Sequence, residues 1–222
     1  EYYKNDQNLR FALESFLSQV EVFFSKNPNL NDKNSPIIHS IKWRNKDPEH
    51  LKDKLIRLAY RGRIVNKDNL LQEVNDLIGI RILHLYQDQF PSIHQEIQSK
   101  IEDLGDWVFV EEPKAYTWDP ESKTQYEELG ISTEIRDSFY TSVHYIVKPN
   151  NDRTSVCCEI QVRTLFEEIW GEIDHTINYP HATESLACRE QLRVLSKLVS
   201  TGTRLADSIF RSYSDFTVNQ GQ

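Results

Sequence analysis

The chain has few of the features that mark secreted, membrane-spanning or fibrous proteins. It holds three cysteines and no methionine in 222 residues, and no apolar run reaches the roughly 18 residues expected of a membrane-spanning helix. Internal repeats and low-complexity segments are absent, and the first residues lack the pattern of a signal peptide. Three cysteines without a disulfide framework suit a reducing compartment. We therefore expect a cytoplasmic globular protein with free thiols.

Positive charge is in short supply overall but is concentrated in one segment. The formal net charge is −8, which argues against broad binding to nucleic acid through phosphate neutralisation. Residues 42–67 nevertheless hold nine Lys or Arg and three acids. A local basic patch on an acidic protein suits a small polyanion such as a nucleotide. The alternative is a solvated helix face with ion pairs.

The hydrophobic pattern predicts an α/β fold with a mixed five-stranded sheet and helices at both ends. Apolar residues make up 38% of the chain, which is enough for a core. Helical periodicity alternates with short strand-like runs, joined by both hairpins and crossovers. The polar stretch 114–137 predicts a long flexible loop or lid. Strands are predicted at 37–44, 78–85, 107–111, 140–147 and 155–162, and helices at 3–26, 47–62, 70–74, 90–104, 165–177 and within 184–213.

One predicted strand has an unusually polar face. Side chains alternate along a strand, so Glu159, Gln161 and Arg163 share one face while Ile160 and Val162 occupy the other. Three polar groups are costly to bury without partners. We interpret this face as the floor of a polar cleft rather than as a packing surface.

An acid also opens the most apolar predicted strand. Asp76 lies at the start of this run, where an acid is unexpected unless it meets a metal ion or another cation. Gly79 would let backbone or ligand approach closely, and Arg81 follows it. One carboxylate from each of two strands, Asp76 and Glu159, is an economical way to hold Mg²⁺ beside bound phosphates. The alternative for Asp76 is a structural salt bridge.

Two further groups of residues have the chemistry of nucleotide ligands. An arginine can stack on a base, and lysines supply compact charges for phosphates. A tyrosine can also stack on a base, while serine and histidine on the same strand face can hydrogen-bond to phosphate or sugar. The first group is Arg44, Lys46 and Lys54, and the second is Tyr140, Ser142 and His144.

In this order, between residues 44 and 175, these motifs resemble the synthetase domain of the RelA/SpoT family, the enzymes that make guanosine tetra- and pentaphosphate. The resemblance rests on Arg-x-Lys…Lys, Asp-x-x-Gly-x-Arg, Tyr-x-Ser-x-His and Glu-x-Gln-x-Arg, followed by an acid–His pair. It implies a nucleotidyltransferase-like synthetase domain over 37–180. An N-terminal helix and linker over 1–36 would precede it, and a helical appendage over 181–222 would follow, as in the small synthetase-only members.

The resemblance also implies a reaction and its residues. Pyrophosphate would pass from ATP to the 3′-hydroxyl of GDP or GTP, with Mg²⁺ as the cofactor. ATP would be bound by Arg44, Lys46, Lys54 and Arg81. Asp76 and Glu159 would bind the metal ion and act as the catalytic residues. The acceptor nucleotide would contact Lys114, Arg136, Tyr140, Ser142, His144, Gln161 and Arg163, and Asp174 and His175 match the family's acid–His pair.

Three positions depart from the family pattern. His50 takes the place of a serine, Phe139 that of a glycine, and Arg136 that of a commoner lysine. Two alternatives therefore stay open: a toxic relative that makes adenosine alarmones or pyrophosphorylates tRNA, and a catalytically inactive nucleotide-sensing domain. The chain contains no His-Asp dipeptide, which the hydrolase domain of long family members carries, so we expect no hydrolysis. Self-association through the C-terminal helices is compatible with the sequence.

Overall fold

The computed structural model describes residues 1–136, 138–151, 153–179 and 181–220. Its centre is a mixed six-stranded sheet with the strand order β1-β2-β6-β5-β3-β4. The pairs β2–β6 and β3–β4 are parallel and the other neighbours are antiparallel. The strands are β1 Ser40–Asn45, β2 Ile78–His84, β3 Trp107–Thr117, β4 Ser132–Ile135, β5 Ser142–Pro149 and β6 Cys158–Thr164.

Eight α-helices and one short 3₁₀ helix, Gln87–Gln89, surround this sheet in the described part of the chain. None of these helices is both long and apolar enough to span a membrane. The α-helices are α1 Tyr2–Asn5, α2 Gln7–Lys26, α3 Pro48–Tyr60, α4 Leu70–Glu73, α5 Phe90–Glu102, α6 Pro120–Glu128, α7 Leu165–Asn178 and α8 Leu186–Gln220.

The mixed α/β architecture is confirmed, but the prediction of a flexible loop over 114–137 is wrong. Strand β3 continues to Thr117, and α6 and β4 follow, which adds the sixth strand. Asp119 caps α6 by accepting a hydrogen bond from the Ser122 amide. Tyr126 and Ile131 are almost fully buried, so a few apolar residues anchor a segment whose composition is mostly polar. The predicted division of the chain at residues 36/37 and 180/181 stays a prediction.

One face of the sheet carries the hydrophobic core. The side chains of Ile78, Ile80 and Ile82 alternate onto this face and are at most 1% exposed. Helix α2 packs against them because its buried residues recur at helical spacing. The Asp6 carboxylate accepts from the Leu9 amide at the start of α2, which explains why the predicted single helix over 3–26 is interrupted there. The opposite face of the sheet is polar, and α7 lies across it.

Candidate active site

Strand register brings the predicted polar residues into two rows on the face that α7 crosses. In the first row, Arg44 lies opposite Gly79, which lies opposite Glu159. Neighbouring strands are about 4.8 Å apart, so such rows are compact. Arg44, Gly79, Arg81, Glu159 and Gln161 line one cleft of about 180 Å³. The second row crosses five strands through Lys42, Arg81, Gln161, His144 and Lys114.

Asp76 precedes β2 and holds two lysines of the predicted ATP motif. Lys46 Nζ lies 2.7 Å from Asp76 Oδ2, and Lys54 Nζ lies 2.7 Å from Oδ1. Burial opposes ionisation of this carboxyl, but the hydrogen bonds from the two lysines outweigh burial and hold the pKa of Asp76 below its usual value. Asp76 therefore does form the salt bridges of the structural alternative. Its partners, however, are lysines that the motifs assign to ATP phosphates, and Asp76 itself is assigned to the metal.

The local sequence explains how Lys46 and Lys54 converge. Lys46 directly follows β1, and its amide donates to the Leu77 carbonyl at 2.8 Å, which fixes the end of β1 beside the start of β2. Asp47 then caps α3 through the Glu49 and His50 amides. The helix begins at Pro48, which suits its first turn, and presents Lys54 less than two turns later.

Glu159 is the carboxylate that lines this cleft, and it is held by its neighbours on the sheet. It accepts from His144 Nδ1 at 3.1 Å and from Gln161 Nε2 at 2.8 Å. Burial opposes ionisation, but the His144 hydrogen bond and charge interaction outweigh it, so the pKa of Glu159 is lowered. The negative charge of Asp76 acts in the opposite direction on this pKa, which shows that the two carboxylates interact electrostatically.

His144 connects Glu159 to Tyr140. Its Nε2 lies 3.0 Å from the Tyr140 hydroxyl, while its Nδ1 faces the Glu159 carboxylate. Both contacts are satisfied when Nδ1 donates to the carboxylate and Nε2 accepts from the tyrosine hydroxyl. Tyr116 packs edge-on against His144 at 4.8 Å between ring centroids. Tyr140 is thereby fixed in the site rather than free on a loop.

Arg136 and Lys114, which the sequence assigns to the acceptor nucleotide, lie beside this cluster. The Arg136 guanidinium lies 4.2 Å from the centroid of the Tyr116 ring, and both cations approach Glu134, at 3.2 Å and 3.6 Å. Their side chains are 45% exposed and accessible to an anion. Ser142 differs, because it is fully buried and its hydroxyl donates to the Val162 carbonyl at 3.3 Å.

Glu168 of α7 is a functional candidate that the sequence interpretation missed. Its side chain is 3% exposed and contacts three cations from three strands. The Lys42 ammonium lies at 2.7 Å and the Arg81 guanidinium at 3.2 Å, and Arg163 forms a third ion pair. Arg163 is itself 3% exposed, so Glu168 compensates its charge inside the protein, although the Arg163 Nε has no hydrogen-bond partner among the described residues. One turn further along α7, Glu172 also pairs with Arg81.

Asp174 and His175 lie at the end of α7 and contact a different set of residues. The Asp174 carboxylate accepts from the Asn178 side chain at 2.8 Å. His175 stacks on Tyr179 at 4.6 Å, and Tyr179 packs edge-on against His50 of α3 at 4.9 Å. His175 thus joins α7 to the helix that carries Lys54.

The donor set suits Mg²⁺ only together with substrate oxygens. The described residues contain no cluster of three or more His, Cys, Asp or Glu side chains placed to hold a metal ion. Asp76 and Glu159 are nevertheless both kept ionised, are 19% and 14% exposed, and repel each other. A divalent cation between them would relieve this repulsion, and magnesium commonly combines one or two carboxylates with phosphate oxygens.

A family model described as a region found in RelA/SpoT proteins matches residues 43–184. This range covers more than half of the chain and contains every motif discussed above. The chain belongs to the RelA/SpoT family. The sequence is also similar to GTP pyrophosphokinase YwaC of Bacillus subtilis (strain 168), with 24% identity over 176 residues that cover 77% of this chain and 71% of the relative.

The fold is that of the small alarmone synthetases. Small alarmone synthetase 1 from Bacillus subtilis superposes with a TM-score of 0.67 at 19% identity, covering 93% of this chain and 94% of that one. Crystal structures of that protein bound to pppGpp and to AMPCPP give TM-scores of 0.65 and 0.58, at 19% and 18% identity. Their coverage is 94% and 93% of this chain, and 95% and 94% of those chains. The membership that the motifs implied is thus confirmed.

Proposed function

We propose that this protein is a small alarmone synthetase that transfers pyrophosphate from ATP to the 3′-hydroxyl of GDP or GTP. The observation that carries the proposal is the electrostatic interaction of two ionised carboxylates. Asp76 is held by Lys46 and Lys54, and Glu159 lines a cleft together with Arg44 and Arg81. A similar protein, small alarmone synthetase 1 from Bacillus subtilis, has been crystallised with pppGpp and with AMPCPP, which supports a donor and an acceptor nucleotide.

In the proposed reaction, the 3′-oxygen of the acceptor forms a bond to the β-phosphorus of ATP. The bond from that phosphorus to the oxygen bridging the α- and β-phosphates breaks, AMP leaves with the electron pair, and the hydroxyl proton is released. Such chemistry depends on positioning and charge neutralisation more than on covalent help from the protein. Mg²⁺, bound through Asp76 and Glu159, would supply neutralisation of phosphate charge.

The chain's own residues position the donor. Arg44, the register partner of Gly79, and Arg81 both line the cleft, and their planar guanidinium groups suit the faces of adenine. Lys46 and Lys54 end at Asp76, where the phosphates would lie, and they offset charge that develops on the leaving group. Glu168 and Glu172 hold Arg81 in this place.

Other residues position the acceptor. Tyr140 stacks on the base, and Arg136 and Lys114 contact the phosphates. His144, held between Tyr140 and Glu159, contacts the acceptor ribose, and Gln161 is its register partner on the neighbouring strand. Arg163 acts indirectly, since it pairs with Glu168 and lies 5.7 Å from the Tyr140 ring.

A different acceptor is the second candidate, because the structure around Tyr140 is unusual. Phe139 has a positive φ of 62° and packs against Trp118 at 5.5 Å, and α6 precedes this region. Because a bulky side chain stands next to the base-stacking tyrosine where the family pattern has glycine, an adenosine nucleotide or tRNA is the competing acceptor.

Transfer assays with labelled ATP and Mg²⁺ test both candidates. Separate reactions contain GDP, GTP, AMP or deacylated tRNA as the acceptor. Labelled product on GDP or GTP supports the first candidate, and product on AMP or tRNA alone supports the second. Transfer to none of the four acceptors, by protein that still binds ATP, would refute the enzymatic proposal and favour a nucleotide-sensing domain.

A further inference from the structure

A second cavity lies at the far end of the sheet from Asp76. It has a volume of about 320 Å³ and is enclosed by α6, α7 and α8. Gln87, just past the end of β2, and Thr141, just before β5, line its floor. Asp76 precedes the opposite end of β2, so this cavity is separate from the proposed ATP cleft. Its size falls within the usual range for sites that bind small molecules, about 300–1,000 Å³.

The charges around this cavity disfavour phosphates. Four carboxyl groups line it, and so do two arginines. Arg204 already pairs with Asp119 and Glu121, and Arg211 pairs with Asp88. No lining cation among the described residues is therefore left to receive a polyphosphate, whose burial without a partner would be costly. An uncharged or cationic ligand fits the remaining acidic surface.

The walls of the cavity favour a flat heteroaromatic ligand. Trp118 and Phe139 lie edge to face at 5.5 Å and form one side, and such rings bind other rings by stacking or edge contacts. Glu167 lies on another side, and burial raises its pKa to about 7, so near neutral pH its carboxyl can donate as well as accept. Gln87 and Gln125 add amide donors and acceptors. Alternating donors and acceptors on the edge of a ring are the chemistry of nucleobases.

The cavity also touches the backbone that carries the proposed acceptor-binding tyrosine. Phe139 and Thr141 line the cavity, whereas Tyr140 between them points to the other side and meets His144. Phe139 has a φ of 62°, a left-handed conformation that bulky residues rarely adopt. Such strain persists only where the surroundings impose it. A ligand that packs on Phe139 would therefore act on the position of Tyr140.

We propose that this cavity is a second small-molecule site that binds an uncharged nucleoside or nucleobase and excludes nucleoside polyphosphates. The four tryptophans provide a direct test, because Trp118 and Trp170 line the cavity while Trp43 and Trp107 do not. Indole N–H signals of ¹⁵N-labelled protein are assigned with single Trp→Phe variants. The protein is then titrated with cytidine, adenosine, CTP and ATP.

We expect cytidine or adenosine at millimolar concentration to give saturable shifts of the Trp118 and Trp170 signals, and CTP to give none at Trp170. The absence of a saturable shift with both nucleosides, or equal binding of CTP and cytidine, would overturn the proposal. Because these outcomes do not depend on transfer, they are distinct from failure of the proposed function.

Two variants localise the binding. Trp118→Leu removes one wall, and the Trp170 signal then reports at least a tenfold loss of nucleoside affinity. Gln125→Phe instead fills the cavity from a partly exposed position on α6, so it tests the site even if Trp118→Leu folds poorly. Unchanged nucleoside binding by folded Gln125→Phe would overturn the assignment.

The coupling to Tyr140 has its own test, which rests on the proposed function. Saturating cytidine should change the KM for the GDP or GTP acceptor several-fold while the KM for ATP stays constant, and Gln125→Phe should remove this effect. An acceptor KM that is the same with and without cytidine would overturn the coupling.

Discussion

Lys54 Nζ lies 2.7 Å from Asp76 Oδ1, and Lys46 occupies the other carboxylate oxygen at the same distance. Two cations that the family pattern assigns to ATP phosphates are thus held by the acid that it assigns to the metal. Two ammonium groups and one carboxylate leave a net positive charge where the phosphates would bind. This arrangement also means that a single substitution at Asp76 affects both the proposed metal ligand and the placement of the lysines.

Asp76→Asn should reduce transfer by at least about 100-fold, because the loss of one preorganised electrostatic contact typically costs this much in kcat. The amide keeps the shape of the side chain, so the fold should persist. Product formation from labelled ATP gives the rate, and circular dichroism checks the fold. Asp53→Asn, on the same helix as Lys54, is the matched control and should retain activity. Near-normal transfer by Asp76→Asn would remove Asp76 from the metal site.

Tyr140→Ala should weaken the acceptor more than the donor. Stacking of a base on an aromatic ring is worth about 1–3 kcal/mol, so the KM for GDP or GTP should rise by roughly 5- to 150-fold while that for ATP changes little. Tyr140→Phe keeps the ring and loses only the hydrogen bond to His144, so it should lie close to wild type in acceptor KM. Equal increases in both Michaelis constants for Tyr140→Ala would contradict a stacking role.

Much of the site could be predicted because its residues come from short motifs on strands. Alternation alone placed Glu159 and Gln161 on a polar face, and the register then added Arg44, Arg81 and His144 to the same rows. Local pattern suffices there, since a strand fixes which side chains share a face.

Glu168 and the segment after Lys114 could not be found in this way. The role of Glu168 depends on its contact with Lys42, which is 126 residues away in the sequence. A glutamate in an amphipathic helix gives no local signal that it is buried. Helix α6 and β4 are anchored by Tyr126 and Ile131 within a polar stretch. This stretch has too few apolar residues to show a helical or strand-like period. In both cases tertiary contacts decide the structure.

Glu168→Gln should destabilise the protein strongly. Removing one partner of a buried ion pair typically costs about 3–5 kcal/mol, and here Lys42, Arg81 and Arg163 all lose the same carboxylate. Urea unfolding followed by circular dichroism measures the change in the free energy of unfolding. Glu172→Gln is the control on the same helix, because the Glu172 side chain is 52% exposed and an exposed pair is worth about 1 kcal/mol at most. Similar losses in the two variants would show that Glu168 does not organise the three cations.

The raised pKa of Glu167 should make the free energy of unfolding depend on pH. Burial raises the pKa of this carboxyl to about 7 in the folded protein, whereas an unfolded glutamate titrates near its usual value of roughly 4.3. The folded state therefore holds the proton more tightly, and the stability that this provides is fully present below the unfolded pKa and is lost as the pH rises toward 7. At about 1.4 kcal/mol per pKa unit, the loss is at most about 3–4 kcal/mol. Because the Glu167 side chain is partly exposed, the loss of stability should be smaller than this upper limit.

Urea midpoints measured between pH 4.5 and 8 test this prediction against Glu167→Gln. The amide cannot ionise but keeps an oxygen that can accept from the Thr164 amide, as the Glu167 carboxylate does at 2.8 Å, so the helix cap should survive. The difference in stability between the variant and wild type should therefore grow in favour of the variant as the pH rises through this window. Asp76 and Glu159, whose pKa values are lowered, are present in both proteins, so their contributions cancel in the comparison. A difference that is constant with pH would mean that Glu167 ionises normally in the folded protein.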